Sequence, residues 1–320
     1  MTGQSCDELA QAEELLKKGE YNQALEIVQS LSSHELQPAD GLYCLLLECK
    51  LRIRLGDLEK AALVVDKALE IARKQENTLL IADFLLIKVE LAWRSGEFDE
   101  GFLIITEIDS ILQRQNSGLE EIEESELKRR EAQLTRHYGI LNWYKGDLDR
   151  AGEYHEKSLE VYRELDDRPG EASALNNIGL VQWSKGNLDA AAEYYEESLS
   201  IRRDLGIPYE IAVILNNLGN VLVMKGDLES ALDYHTQALR IRETLDNRPD
   251  LATSLTNVGS VYQTRGNLNQ ALECYHRALE IYEDIDVKQG MALVLNNLGS
   301  AYEIRGDLIQ SLDYHRRSFE

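Results

Sequence analysis

The chain has 320 residues, 28% of them charged, with 57 acidic against 34 basic side chains and a formal net charge of −23. So acidic a surface repels nucleic acid unless basic residues are segregated, and the sequence contains no basic run. No apolar run approaches the roughly 18–20 residues that cross a bilayer, so we predict neither a nucleic-acid nor a membrane partner. The acidity favours solubility, and attraction of a basic partner is the alternative.

The amino-terminal segment MTGQSCDELA is polar and acidic, unlike a secretory signal peptide. The cysteines are scattered and form no C-x-x-C pair, which is typical of small core residues in a reducing compartment. They are Cys6, Cys44, Cys49 and Cys274. We therefore predict a cytoplasmic protein.

A short motif recurs along the chain: a glycine, then Asp, Asn or Glu, then Leu or an aromatic residue. The turn glycines of this motif are Gly19, Gly56, Gly96, Gly146, Gly186, Gly226, Gly266 and Gly306. Consecutive turn glycines lie 40 residues apart, except for one spacing of 37 and one of 50. A period of this length predicts an array of eight repeated units.

The units differ in regularity along the chain. Residues 1–118 are predicted to form three degenerate units, in which Glu48 and Lys88 stand where an apolar residue is expected. Residues 119–320 are predicted to form five regular units, continuous with the first three as one solenoid. The long spacing falls at 115–133, where we predict a turn at 116–118 and then an extended first helix, with a hinge or partner site as the alternative.

Each unit is predicted to be two antiparallel helices, which gives sixteen helices and no β-sheet. In one clear unit, apolar residues recur at helical spacing before the turn glycine: Leu215, Leu218, Val221 and Leu222. Gly226 can adopt the left-handed conformation that ends a helix, and Asp227 is a natural N-cap for the next helix. A polar loop at 246–250 closes the unit. Because one helix pair cannot bury both of its faces, the units must stack.

These residues resemble the tetratricopeptide repeat, most clearly at Leu215, Leu218, Gly219, Leu222, Gly226, Leu228, Ala231, His235 and Ala238. The usual repeat is 34 residues long, and the longer version here is similar to the arrays of Pins-type adaptors and kinesin light chains. The resemblance implies an all-α, right-handed superhelical solenoid of about eight helix-turn-helix units. It also implies that the side of each first helix turned away from its own unit's core lines a concave groove.

Adjacent asparagines recur inside the first helices, although Asn is a poor helix former. At 100° per residue they lie opposite the apolar side of the helix, on the side that the resemblance assigns to the groove. An Asn amide offers a donor and an acceptor, so it can bind the backbone of an extended peptide. The predicted peptide-binding residues are Asn176, Asn177, Asn216, Asn217, Asn220, Asn257, Asn296, Asn297, Arg136, His137, Trp143, Tyr144, Leu180, Trp183 and Met224. The alternatives are an asparagine ladder between neighbouring first helices, and recent duplication without selection on the groove.

Two tryptophans, Trp143 and Trp183, take the same helical position in adjacent units. Tryptophan is prominent among residues that dominate binding energy, so we predict an anchor pocket at this place in the groove. The alternative is that the two indoles pack on each other.

Catalytic and metal-binding motifs are missing from the sequence: it has no H-E-x-x-H, no phosphate-binding loop and no nucleophile elbow. His155, His235 and His315 share one helical position but lie two units apart, too far to hold one metal, so we predict core packing. We therefore predict no enzyme, no metal and no cofactor. The predicted function is a scaffold that binds a protein or peptide partner, and the alternative is a sensory or regulatory ligand-binding array of a larger signalling or transcription protein.

The carboxy-terminal end carries a final prediction. Leu298, Tyr302, Leu312 and Phe319 are expected to present part of an apolar end face to water, and solenoid ends usually need a polar cap. We expect further repeats in the parent protein, with end-to-end self-association as the alternative.

Overall fold

The computed structural model describes residues 3–32, 38–115 and 121–319. Sixteen helices and no strand occur in these ranges, which confirms the predicted all-α class. The helices are α1 (Gly3–Lys18), α2 (Tyr21–Ser32), α3 (Pro38–Leu55), α4 (Leu58–Lys74), α5 (Thr78–Arg94), α6 (Phe98–Gln115), α7 (Glu121–Tyr144), α8 (Leu148–Glu164), α9 (Arg168–Ser184), α10 (Leu188–Leu205), α11 (Pro208–Lys225), α12 (Leu228–Arg242), α13 (Arg248–Thr264), α14 (Leu268–Asp284), α15 (Lys288–Arg305) and α16 (Leu308–Phe319). Odd-numbered helices are the first helices of their units. The predicted turn at 116–118 lies outside the described residues.

The chain separates into two compact parts, Met1–Gly206 and Ile207–Glu320, called below the amino-terminal part and the carboxy-terminal part. Within each part, the two helices of a unit pack on each other, and the second helix packs on the first helix of the next unit. The predicted division at residue 118, with all units continuous as one solenoid, stays a prediction.

The turns inside the units form at the eight predicted glycines, all of which have φ between 80° and 89°. Glycine reaches this left-handed conformation without the steric penalty of a Cβ atom. In several units, the residue before the next helix caps that helix with its side chain. Asp147 and Asp227 accept hydrogen bonds from the backbone N–H groups of Arg150 and Ser230, at 3.2 and 3.1 Å.

Close packing of the helix pairs in the five regular units depends on a second glycine, seven residues before the turn glycine. A Cβ atom on Gly219 would lie 2.7 Å from the ring of His235, and one on Gly179 would lie 2.7 Å from the ring of Tyr195. His155 and His235 are buried under such glycines, which confirms their predicted role in core packing.

The loop predicted at 246–250 lies at 243–247 instead, because α12 ends at Arg242 and α13 begins at Arg248. Asn247 caps this helix by accepting a 2.9 Å hydrogen bond from the N–H of Asp250. Pro249 is tolerated in the first turn, where its missing N–H would have no helical partner anyway.

The polar residues at apolar positions of the degenerate units are accommodated by ion pairs. Glu48 is buried and lies 2.7 Å from Arg52, whose guanidinium also reaches Asp57 at 3.0 Å. Lys88 extends to Asp66 at 2.9 Å. A buried charge is strongly destabilising only when it has no partner, so these departures leave the helix pairs intact.

The predicted apolar end face is correct for two of its four residues. Leu312 and Phe319 are 73% and 91% exposed. The prediction was wrong for Leu298, which is fully buried because it packs inside its own helix pair. Tyr302 is half-buried and stacks on Tyr314, with ring centroids 5.2 Å apart.

Candidate functional site

The predicted groove residues occupy fixed positions in each first helix: the tenth, ninth, sixth, third and second residues before the turn glycine. We call the surface made by these positions the first-helix face. In the amino-terminal part, α3, α5 and α7 form a cleft of about 360 Å³ on this face. At the tenth, ninth and sixth positions its lining residues are Leu46, Lys50, Leu86, Ile87, Glu90, Arg136 and His137. The next first helix carries Asn176, Asn177 and Leu180 at the same positions.

Charged side chains surround this cleft, and the fold gathers them from three helices. Its lining includes four basic residues, Lys50, Arg129, Arg130 and Arg136, and three acidic ones, Asp83, Glu90 and Glu126. The sequence contains no basic run, yet basic side chains outnumber acidic ones here, in a chain where acidic residues prevail. Arg130 binds Asp83 through two hydrogen bonds of 2.8 Å, which fixes α7 against α5.

Glu90 is a half-buried carboxylate in the wall of the cleft. Burial would raise its pKa, but Arg94, Arg54 and Arg136 outweigh this effect and hold the pKa below its usual value. Arg94 lies 2.8 Å from the Glu90 carboxylate. Glu90 therefore stays charged and anchors the positive side chains around it.

His137 forms part of the cleft wall but is only 3% exposed. Burial, together with the positive charge of Arg136, lowers the pKa of His137 well below its ordinary value. Its Nδ1 is buried and finds no hydrogen-bond partner among the described residues. The His137 imidazole is therefore an uncharged part of the cleft wall. The side chain of Arg136, the other predicted groove residue at this place, is more exposed to solvent.

All three tryptophans of the chain lie on the first-helix face. Trp93, Trp143 and Trp183 each stand three residues before a turn glycine. Trp93 is not among the predicted groove residues, because the spacing of 50 residues after Gly96 displaces it from the forty-residue register of Trp143 and Trp183. Counting back from each turn glycine, rather than forward by forty, would have found it.

Three aromatic rings of this face, from α5 and α7, form one cluster together with Phe98 of α6. Tyr144 stacks on Trp93 and Phe98, with centroids 5.9 and 4.7 Å apart, and meets Trp143 edge-on at 4.9 Å. The indole N–H of Trp143 donates a 2.8 Å hydrogen bond to Ser184 Oγ in the next first helix. Tyr144 and Ser184, rather than a stacked Trp183, therefore fix the orientation of the Trp143 ring.

The asparagines of the amino-terminal part bond to each other within one helix. Asn176 Nδ2 donates a 3.3 Å hydrogen bond to Asn177 Oδ1, whereas Asn177 Nδ2 is buried without a partner among the described residues. The indole nitrogen of Trp183 is in the same situation. Leu180 is half-buried beside them. Buried polar atoms without partners are rare in folded proteins, so this part of the face has hydrogen-bonding capacity left over.

The asparagines of the carboxy-terminal part are used differently. Asn216 Oδ1 accepts a 2.7 Å hydrogen bond from Asn257 Nδ2 in the next first helix, and lies 3.2 Å from His235 Nδ1. This contact is one rung of the asparagine ladder that was the alternative to peptide binding. Three other predicted residues of this part are half-buried: Asn217, Asn220 and Asn297. Two are exposed: Asn296 and Met224.

The Tetratricopeptide repeat family model matches residues 130–204 and 210–284. The chain contains tetratricopeptide repeats. The match lies within residues 119–320 and leaves out the last regular repeat as well as the three degenerate ones. A search of curated proteins found no match.

Three solved structures with similar folds are each less than 25% identical to the chain. BtubC (BKLC) from P. vanneervenii has a TM-score of 0.56 and 22% identity, over 72% of this chain and 92% of that one. A Rap protein complexed with competence and sporulation factor has a TM-score of 0.62 and 16% identity, over 99% and 97%. A signal transduction ATPase with numerous domains and a tetratricopeptide repeat sensor, from Pyrococcus horikoshii, has a TM-score of 0.63 and 15% identity, over 95% of this chain and 46% of that one. These likenesses establish the fold.

Neither a membrane-spanning helix nor a metal-binding cluster occurs in the described ranges. No helix within 3–32, 38–115 and 121–319 is long and apolar enough to cross a membrane. The same residues contain no group of three or more His, Cys, Asp or Glu side chains arranged to hold a metal ion.

Proposed function

We propose that the chain is a non-catalytic scaffold that binds an extended peptide segment of a partner protein on its first-helix face. One observation carries this proposal. The cleft on α3, α5 and α7 is lined at the helical positions that carry the repeated asparagines in later first helices. Equivalent positions recur on successive stacked helices and therefore form a row. A row of binding positions suits an extended peptide better than a compact ligand.

The chemistry of the face suits a peptide with mixed character. Leu46, Leu86 and Ile87 give the cleft an apolar floor, and Arg136 and Lys50 add positive charge. In the next first helix, the Asn177 amide can bond to a peptide group after rotation of its side chain. The half-buried Trp183 beside it offers an anchor surface of the kind that dominates binding energy.

The three tryptophans provide a direct experiment, because they are the chain's full complement and all lie on this face. Peptides selected from a displayed random library would be synthesised and titrated while tryptophan emission and calorimetric heat are recorded. We expect binding to change the emission. Trp183→Ala should weaken affinity by about 2 kcal/mol and Asn177→Ala by about 1 kcal/mol, with nearly unchanged melting temperatures.

Asn269→Ala is the matched control, because Asn269 is an exposed asparagine on the second helix α14 and lies outside the first-helix face. Its affinity should equal that of the wild type. Peptides that bind with unaltered tryptophan emission, and equally well to Trp183→Ala and Asn177→Ala, would remove the first-helix face of the amino-terminal part from the proposal.

The second candidate is a sensory or regulatory array within a larger protein. It is favoured by the solved P. horikoshii protein, in which a tetratricopeptide repeat sensor belongs to a multidomain ATPase. An additional effector domain in the parent reading frame, together with thermal stabilisation by a small ligand but by no peptide, would favour this candidate over the scaffold.

Two further elements of the proposal concern location and assembly. We place the protein in the cytoplasm, because Cys44 and Cys49 are free thiols buried in the core rather than disulfide partners. End-to-end self-association through the exposed Leu312 and Phe319 is tested by light scattering over a concentration series.

A further inference from the structure

A second surface of the amino-terminal part lies between the second helices α4 and α6. Two clefts of about 720 and 340 Å³ adjoin there and share Asp66, Lys88 and Glu100 in their walls. Their apolar lining includes Val65, Leu69, Leu85 and Leu91, from α4 and the intervening α5. We call the combined surface the second-helix cleft. It shares no lining residue with the cleft on the first-helix face.

The second-helix cleft has an identifiable cause in the sequence. Lys88 stands eight residues before its turn glycine, where the regular repeats carry Ile178, Leu218, Val258 and Leu298. Those four side chains are buried in their helix pairs. The Lys88 side chain instead extends to Asp66, at 2.9 Å. It therefore does not fill the space that an apolar side chain occupies at this position in the regular repeats.

Two exposed leucines occupy equivalent positions on the two second helices that border this cleft. Leu63 on α4 and Leu103 on α6 each stand seven residues after a turn glycine and are 70% and 74% exposed. Leu103 lines the larger cleft. The five regular repeats have an acidic residue at this position: Glu153, Glu193, Asp233, Glu273 and Asp313. Two neighbouring repeats therefore carry leucine at a surface position that is acidic in the regular repeats, and both leucines lie on helices that border the cleft.

The rim of the cleft is acidic. Its lining residues include six carboxylates, Glu59, Asp66, Glu70, Glu97, Glu100 and Glu107, against three basic residues, Arg73, Lys74 and Lys88. Arg73 on α4 pairs with Glu107 on α6 at 2.8 Å, so the two helices lie side by side. An apolar floor, exposed leucines and an excess of three negative charges occur together.

We propose that the second-helix cleft docks an amphipathic helix of a partner protein, whose apolar side chains are flanked by Lys or Arg. The groove between two neighbouring helices accepts the side-chain ridge of a third. The partner's apolar residues would contact Leu63, Leu103 and the floor at Leu69, with the spacing i, i+3/i+4, i+7. Its basic residues would face the acidic rim. This docking site is independent of peptide binding on the first-helix face.

The experiment uses the full chain and two synthetic peptides of roughly 18 residues, about five helical turns. One peptide carries leucines at that spacing with Lys and Arg on its flanks, and its twin has Glu in place of every Lys and Arg. Binding is measured by the fluorescence anisotropy of the labelled peptides. We expect the basic peptide to bind, with affinity that falls as salt is added, and the acidic twin to bind at least about tenfold more weakly.

The decisive variant is the double substitution Leu63→Glu with Leu103→Glu, which installs the type of residue that the regular repeats carry there. Both positions are highly exposed, so the variant should fold and melt like the wild type. Its affinity for the basic peptide should fall about tenfold or more. Lys88→Leu, which fills the floor, should also weaken binding while raising the melting temperature.

Trp183→Ala is the control, because this residue belongs to the first-helix face, and it should leave the affinity for the basic peptide unchanged. Equal binding of the two peptides, unchanged affinity in the double variant, or no measurable binding of the basic peptide to the wild-type chain would each overturn the proposal. Because Trp183→Ala changes only the first-helix face, failure of helix docking in the second-helix cleft is distinguishable from failure of peptide binding on the first-helix face.

Discussion

The two parts of the chain use the same helix pairs but complete their first-helix faces differently. In the carboxy-terminal part, Asn216 forms a hydrogen bond with Asn257 and lies close to His235, so side-chain hydrogen bonds link neighbouring first helices. In the amino-terminal part, the same positions on α3, α5 and α7 surround a cleft with charged walls and an adjoining aromatic cluster. The turn glycines and the buried rings determine the geometry of the helix pairs. A few side chains per helix then determine whether the first-helix face is joined by hydrogen bonds between helices or forms a cleft.

The largest effect should come from what the two parts share. Gly179→Ala and Gly219→Ala each place a Cβ atom 2.7 Å from a buried ring, so each should lower the free energy of unfolding by about 2–3 kcal/mol. Alanine's better helix propensity, about 1 kcal/mol, does not offset this. Denaturant unfolding measures both values.

The control for this pair is Gly152→Ala. Its Cβ would make an ordinary 3.7 Å contact with Val181, so alanine should be neutral or stabilising there. If Gly179→Ala or Gly219→Ala behaved like this control, the close glycine–ring contact would not determine the packing of that part.

The next effect distinguishes repeats whose buried ring is histidine from those with tyrosine. Burial, with a smaller contribution from a nearby arginine, lowers the pKa of His155 to about 3 and that of His235 to about 4. An unfolded histidine titrates near 6.5, so below that pH the unfolded chain binds protons that the folded chain does not. Stability should therefore fall as the pH drops from about 6.5 towards 4, by about 2 kcal/mol for each histidine at pH 5.

His155→Phe and His235→Phe test this assignment, each in its own part of the chain. Each substitution should flatten the dependence of unfolding free energy on pH between 5 and 7, measured by denaturant titration. A slope that persists in the double variant would mean that other groups control the acid sensitivity.

A smaller effect concerns the contrast between degenerate and regular repeats. Lys88→Leu supplies the apolar residue that the regular repeats have at this position, and should raise the free energy of unfolding by about 1 kcal/mol. Lys67→Leu, on the exposed surface of α4, is the control and should give no gain. Destabilisation by Lys88→Leu would show that the Lys88–Asp66 ion pair, rather than unfilled volume, dominates this site.

The smallest effect separates the two uses of asparagine. Asn216→Ala removes the hydrogen bond to Asn257 and should lower stability by about 1 kcal/mol. Asn296→Ala changes an exposed residue at the same helical position and should alter stability by less than about 0.5 kcal/mol. Equal losses from the two substitutions would contradict a ladder restricted to Asn216.

Much of the fold could be predicted because its signals are local. The turn at Gly226 and the cap at Asp227 depend on residues next to each other in the chain, and the forty-residue period repeats them. Prediction was less complete for the site, because side-chain contacts join residues far apart in sequence. The Asn216–Asn257 bond spans 41 residues, and the Arg130–Asp83 pair spans 47.

The sequence by itself determined the helical class, the number of units and the helical positions that make up each face. Those properties follow from hydrophobic periodicity and from the conformational freedom of glycine, both of which are written along the chain. Only the tertiary structure decided which positions are satisfied internally, which basic side chains gather in an acidic protein, and that His137 lies in a buried wall. The reason is physical: hydrogen bonds and ion pairs act over a few ångströms, and only stacking of the helices brings their partners within that distance.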